Sequence, residues 1–152
     1  MKITTDYLKS IDASSSMIAR FSYTPELHDI DMLSEVTTGD KSLFNDINWL
    51  INKLKGKLPV SKLTFKNSSG YTMEYTYDER GNKLTFKNST GYAEEYTYDE
   101  RGNKLTFKNS NGYSSEYTYD ERGNKLTYKN SDGNIIADYT QMKYDLTDFE
   151  IR

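Results

Sequence analysis

A stretch of 21 residues, KLTFKNSSGYTMEYTYDERGN from Lys62 to Asn82, is spelled again from Lys83 to Asn103 and from Lys104 to Asn124, and a looser copy opens at Lys125. A fixed period of this length marks supersecondary units that cannot bury their apolar faces alone and must stack on their neighbours.

Within a unit the apolar residues alternate. Leu63 and Phe65, then Tyr71, Met73, Tyr75 and Tyr77, are separated by Thr64, Lys66, Thr72, Glu74 and Thr76. Period two predicts strands. Asn67-Ser68-Ser69-Gly70-Tyr71 reads as a hairpin loop with Gly at the left-handed position, which sets Phe65 opposite Met73. A second, four-residue loop over Glu79-Arg80-Gly81-Asn82 sets Asp78 opposite Lys83, Thr76 opposite Thr85 and Glu74 opposite Lys87. The same register puts Tyr77 beside Leu84 and Tyr75 beside Phe86, so charges and rings select one pairing together. The expectation is an antiparallel meander of seven or eight strands, with Leu, Phe and Tyr on one face and Thr, Lys and Glu on the other.

One column of the ring-bearing face varies between copies: Met73, Glu94, Ser115 and Ile136. It is apolar at the ends and polar between them. The expectation is that a helical module covers the first copy near Met73 and that the tail from Met142 to Ile151 closes the last near Ile136. The middle copies would then expose Tyr92, Tyr96, Tyr113 and Tyr117.

The first sixty residues have a different pattern. Thr5 is positioned to cap a short helix through Leu8, and Asp12 with the following Ser residues offers a cap before Met17, Ile18 and Phe21. Thr24-Pro25-Glu26 reads as a helix start, with Leu27, Ile30, Leu33 and Val36 at roughly helical spacing. Asp40 caps the strongest helical pattern: Leu43, Ile47, Leu50 and Leu54 form a stripe that Phe44, Trp49 and Ile51 widen, and Gly56 stands where a stop belongs. The fold class is therefore α+β: a helical module over residues 1–58, then a β-hairpin repeat sheet over residues 59–152 with a C-terminal closing strand.

The chain carries 14 Tyr against six Phe and one Trp, so burial must come from rings with a polar tip. A formal charge of −3, with Lys and Glu interspersed, argues against direct nucleic-acid binding. There is no Cys, hence no thiolate chemistry, and neither a signal-like apolar run nor a spanning segment of about 20 residues. A cytoplasmic protein without membrane contact is expected.

Tyr96-Thr97-Tyr98-Asp99-Glu100-Arg101-Gly102-Asn103-Lys104-Leu105-Thr106, followed by Ser110-Asn111-Gly112, resembles the YD repeat of Rhs-like polymorphic toxin proteins. The resemblance implies a structural repeat, with carbohydrate contact as an implied role. Three full copies are too few to enclose another domain, as the repeats of that family do. Leu8-Lys9, Asp12-Ala13-Ser14, Phe21 and the stretch from Asp46 to Leu50 with Trp49 resemble the N-terminal helical module of small phage and prophage proteins. That resemblance implies a phage or prophage origin.

The pairs Asp78-Glu79, Asp99-Glu100 and Asp120-Glu121 invite a glycosidase reading. Adjacent strand residues point to opposite faces, however, and Asp before a Gly-containing loop is ordinary turn chemistry. Asn130-Ser131-Asp132-Gly133-Asn134 lacks the alternating carboxylates and terminal Glu of a calcium loop. His28 is the one His, which leaves no zinc site.

The expected function is a non-enzymatic protein-binding module, a phage or prophage accessory protein that blocks a host protein in the host cytoplasm, with a CRISPR-type defence effector as one concrete target. The binding candidates are Tyr92, Glu94, Glu95, Tyr96, Asp99, Glu100, Tyr113 and Tyr117, without cofactor, metal or catalytic residue. The alternatives are a YD-type carbohydrate or cell-surface binder and, third, a hydrolase using the Asp-Glu pairs. Homo-oligomers through a sheet edge or the aromatic face are compatible with each.

Overall fold

A computed structural model describes residues 3–23, 35–133 and 135–138. The chain is α+β, a small N-terminal helical part followed by an antiparallel meander of eight strands. It divides into two compact units, Met1–Gly91 and Tyr92–Arg152. The first unit contains both the helices and the first repeat, on which α3 packs.

The first unit holds α1 (Thr5–Ser10), α2 (Ser15–Tyr23), β1 (Glu35–Thr38), α3 (Lys41–Leu54), β2 (Lys62–Lys66), β3 (Thr72–Tyr77) and β4 (Lys83–Asn88). The cap of α1 is Thr4, not Thr5: Thr4 is extended and its Oγ1 accepts from Tyr7 N at 3.1 Å. Ser14 Oγ does the same for Met17 N at 3.2 Å in α2. The helix expected from Thr24 falls on residues 24–34, outside the described residues. Val36, counted in that helix, lies instead in β1, which runs parallel to β2 with Val36 opposite Leu63. Three consecutive β-branched residues, Val36-Thr37-Thr38, favour the strand.

Asp40 caps α3 as expected, with Oδ1 accepting from Ser42 N at 2.7 Å and Leu43 N at 3.2 Å. The helix buries Phe44, Ile47, Leu50, Ile51 and Leu54. Trp49 does not widen this stripe. It faces outward, with the Lys53 ammonium 5.8 Å from its ring centroid. Phe44 packs on the sheet, its ring 6.0 Å from that of Phe65 and 5.1 Å from that of Tyr75. Lys41 Nζ reaches the Met73 sulfur at 3.1 Å, so a helix does cover the first copy near Met73. Arg20 ties α2 to α3 through Asp46 at 2.7 Å.

At the end of α3 two glycines meet. A Cβ on Gly81 would lie 3.0 Å from Gly56 N and 3.1 Å from Ile51 O, and both glycines have positive φ. Only residues without a side chain let the helix end sit on the first repeat's turn. The buried apolar core, from Ile3 through Phe44, Leu50 and Leu63 to Tyr77, belongs wholly to this unit.

The second unit holds β5 (Ala93–Tyr98), β6 (Lys104–Asn109), β7 (Ser114–Tyr119), β8 (Lys125–Asn130) and β9 (Ile135–Asp138), paired antiparallel in chain order. Among its described residues Ser115 alone is fully buried.

The expected register holds in part. Phe65 faces Met73, Glu74 faces Lys87, Tyr75 faces Phe86 and Thr76 faces Thr85. Beyond Thr76 it slips by one: Tyr77 faces Lys83 rather than Leu84, and Asp78 closes on Asn82 rather than Lys83. The Asp78 carboxylate causes the slip. Its Oδ1 accepts from Arg80 N at 2.9 Å and Asn82 N at 2.8 Å, and its Oδ2 accepts from Asn82 Nδ2 at 2.9 Å. This folds the loop to three residues and leaves a bulge in the next strand. The same bulge follows Thr97 and Thr118.

Candidate functional site

The bulge changes what the ring-bearing face carries. Lys83, Lys104 and Lys125, expected among the polar residues of the opposite face, have their ammonium groups against rings. Lys83 Nζ lies 5.1 Å from the Tyr75 centroid, Lys104 Nζ 5.0 Å from that of Tyr117, and Lys125 Nζ 4.9 Å from the same ring. Each contact is cation–π in geometry.

In the second unit this face is a continuous set of rings. Tyr96 faces Phe107 with centroids 5.1 Å apart, Phe107 lies 5.9 Å from Tyr113, and Tyr117 faces Tyr128 at 5.1 Å. All are half-buried except Tyr113, which is 40% exposed.

Hydrogen bonds fix the ring tips. Tyr92 OH donates to Glu94 Oε1 at 3.0 Å and Tyr96 OH to Glu94 Oε2 at 2.6 Å. Desolvation first, and then the Glu94 bond, raises the Tyr96 pKa well above the usual phenol range. The Tyr113 and Tyr128 hydroxyls bond each other, and that bond pushes Tyr128 up to about 12. Ser115 Oγ donates to Tyr117 OH at 3.1 Å, and Tyr119 OH donates to the Lys104 carbonyl at 2.9 Å.

The variable column does not follow the expected gradient of exposure. Met73 is buried under α3 and Glu94 is half-buried, but Ser115 is only 2% exposed. A short side chain between tall rings is screened by them, whatever its polarity. The Ile136 side chain and the tail from Met142 to Ile151 lie outside the described residues.

The sequence candidates do not all converge. Tyr92, Glu94, Tyr96, Tyr113 and Tyr117 share the ring face. Glu95 faces Lys108 on the other side, beside the Thr97–Thr106 hydroxyl pair at 2.8 Å. The Asp99 carboxylate is held within its own turn by Asn103 Nδ2 at 2.8 Å, Asn103 N at 2.8 Å and Arg101 N at 2.9 Å. These bonds, that of the Asn103 side chain foremost, lower its pKa, the opposite of the shift a general acid needs. Glu100 is exposed in the same turn. Phe107, Tyr128, Lys104 and Lys125 belong to the face and were not among the candidates. Each of these lysines directly follows an Asp-Glu-Arg-Gly-Asn turn, but the face it takes is set by the bulge, which those letters do not reveal.

Among the described residues no group of three or more His, Cys, Asp or Glu side chains is placed to hold a metal, and no helix is long and apolar enough to cross a membrane. No protein-family model matches the chain, and no curated protein shows detectable similarity to it.

Proposed function

We propose that this chain is a non-enzymatic protein-binding module whose ring-bearing face in the second unit receives the partner. The observation that carries the reading is the composition of that face: Tyr92, Tyr96, Tyr113, Tyr117 and Tyr128 beside Asn109, Ser115 and Asn130, without a buried apolar core among the unit's described residues. Tyr supplies large, rigid, amphipathic area at low entropic cost, as it does in antibody paratopes, while Ser115, Asn109 and Asn130 hold the neighbouring ring tip and loops in place. Strand pairing and ring-tip bonds restrict the rings before any partner arrives, which lowers the ordering cost of binding. Together with the phage-like N-terminal stretch, this supports a partner that is a host protein, with a host defence effector of the CRISPR type as the concrete version. Blocking would follow from occlusion.

The test is capture by the immobilised protein from host lysate, in parallel with a Tyr96→Ala/Tyr117→Ala double variant whose fold is checked by circular dichroism. One defined protein retained by the parent and lost with the variant supports the reading. Equal retention by both refutes it, and retention of a glycan in place of a protein favours the carbohydrate alternative.

A further inference from the structure

The four copies carry a different residue before the loop glycine: Ser69, Thr90, Asn111 and Asp132. Asn111-Gly112 is the one place in the chain where Asn precedes Gly. We propose that Asn111 is a site of spontaneous deamidation, a modification that adds one negative charge at the rim of the ring-bearing face.

The chemistry needs three things, and the loop supplies each. The attacking atom is the main-chain nitrogen of Gly112, which must reach Asn111 Cγ unobstructed. Gly112 is exposed, a Cβ built on it would meet nothing within 4 Å, and its N–H is held by Asn109 O at 3.2 Å, a long turn bond that opens before the nitrogen attacks. The Asn111 side chain must also be able to turn toward that nitrogen. Its amide makes no hydrogen bond among the described residues, whereas Asn67, Asn88 and Asn109 accept loop N–H groups and Asn82, Asn103 and Asn124 donate to their turn carboxylates. Finally, the loop must tolerate the product. In the fourth copy Asp132 occupies the equivalent place in an equivalent turn: Asp132 N and Gly133 N donate to Asn130 Oδ1 and O at 3.2 and 2.9 Å, as Asn111 N and Gly112 N do to Asn109 at 3.0 and 3.2 Å.

The reaction balances without a redox partner. The Gly112 nitrogen loses its proton and bonds to Asn111 Cγ, the Cγ–Nδ2 bond breaks, and the departing nitrogen leaves as ammonia, giving a cyclic imide. Water then opens the ring at either carbonyl, to aspartate or to its β-linked isomer. Because the nitrogen must first lose its proton, the rate rises with pH. Tyr113, the most exposed ring of the face, lies two residues away, so the new carboxylate adds negative charge where a partner would approach.

The experiment incubates the folded full chain in heavy-oxygen water at mildly alkaline pH and follows each Asn-bearing peptide by mass spectrometry. Product bearing the heavy oxygen at Asn111 is expected at least about tenfold faster than at any other Asn, a barrier difference of about 1.4 kcal/mol. Asn111→Ser, which reproduces the loop of the first copy, should remove that product. A rate at Asn111 no higher than at Asn109 or Asn130, or a heavy-oxygen product that contains no β-linked isomer, overturns the proposal.

Discussion

Phe65 and Phe107 occupy the same place in the repeat, each within the sequence Lys-Leu-Thr-Phe-Lys-Asn, and so form an internal control. Phe65 is 6% exposed beneath α3, with Phe44 edge-on and the Lys41 ammonium 5.3 Å from its centroid. Phe107 is half-buried and meets only Tyr96 and Tyr113 among the paired rings. Phe65→Ala therefore opens a closed core and should cost about 3–5 kcal/mol. Phe107→Ala loses cross-strand contacts worth about 0.2–1 kcal/mol each and part of a ring's burial, about 1–2 kcal/mol in all. With a urea m-value of about 2 kcal/mol/M, the midpoints should fall by about 1.5–2.5 M and about 0.5–1 M respectively. Circular dichroism follows the strands, and the fluorescence of Trp49 follows the first unit. If Phe107→Ala costs as much as Phe65→Ala, its ring is covered in solution. The open-face reading would then be wrong, and dependence of the midpoint on protein concentration would identify a second copy as the cover.

In-frame deletion of Lys104 to Asn124 should leave a folded protein, because β5 would meet β8 in the register it now makes with β6: Thr97 opposite Thr127 and Tyr98 opposite Lys125. The m-value should drop by roughly one seventh, as 21 of 152 residues are removed, and loss of cooperative unfolding would refute the modular register. Gly81→Ala and Gly123→Ala both pay about 1–2 kcal/mol for positive φ. Gly81 alone adds backbone contacts near 3.0 Å, so its variant should be less stable by about a further 1–3 kcal/mol in parallel urea titrations, and equal costs would refute the close approach. Burial raises the pKa of Tyr77, Tyr96 and Tyr119, and the Tyr113 bond raises that of Tyr128, above the ordinary value of 10.0. The folded state holds these protons more tightly than the unfolded chain. The stability they supply is complete below pH 10.0 and is lost as pH rises through and above it, so a urea midpoint that stays level across that range would refute the assignment.

The period-two pattern and the agreement of charges with rings were enough to read the hairpins up to Thr76 and Thr85. The bulge beyond them was not legible. Three-residue and four-residue loops use the same letters, and the choice rests on where the Asp78 carboxylate finds its backbone donors. β1 escaped for a related reason: a four-residue strand pairing in parallel across an intervening helix leaves no turn signal to mark it. The different burial of Phe65 and Phe107 is invisible in their identical immediate neighbours and was legible only from the variable column, which put a helical module over the first copy and left the middle copies open. Of the face, the tyrosines were legible from alternation, while the lysines were hidden by the bulge that turns them over.

The column that varies between copies has an effect beyond filling space. Glu94 offers two acceptors and draws the hydroxyls of Tyr92 and Tyr96 onto itself. Ser115, one repeat later, is too short to span both neighbours. It donates to Tyr117 OH, while Tyr113 OH pairs with Tyr128 across the sheet. Met73 offers only a thioether, which Lys41 takes beneath the helix. A few substitutions per copy, in this column and at Tyr128 where the other copies have Phe, thus reset where neighbouring ring tips place their hydrogen bonds, while the turn carboxylates and threonine pairs that hold the register stay the same. A repeat built in this way can change the polar pattern of its surface without changing its backbone, and for a binding surface that is the separation of scaffold from specificity.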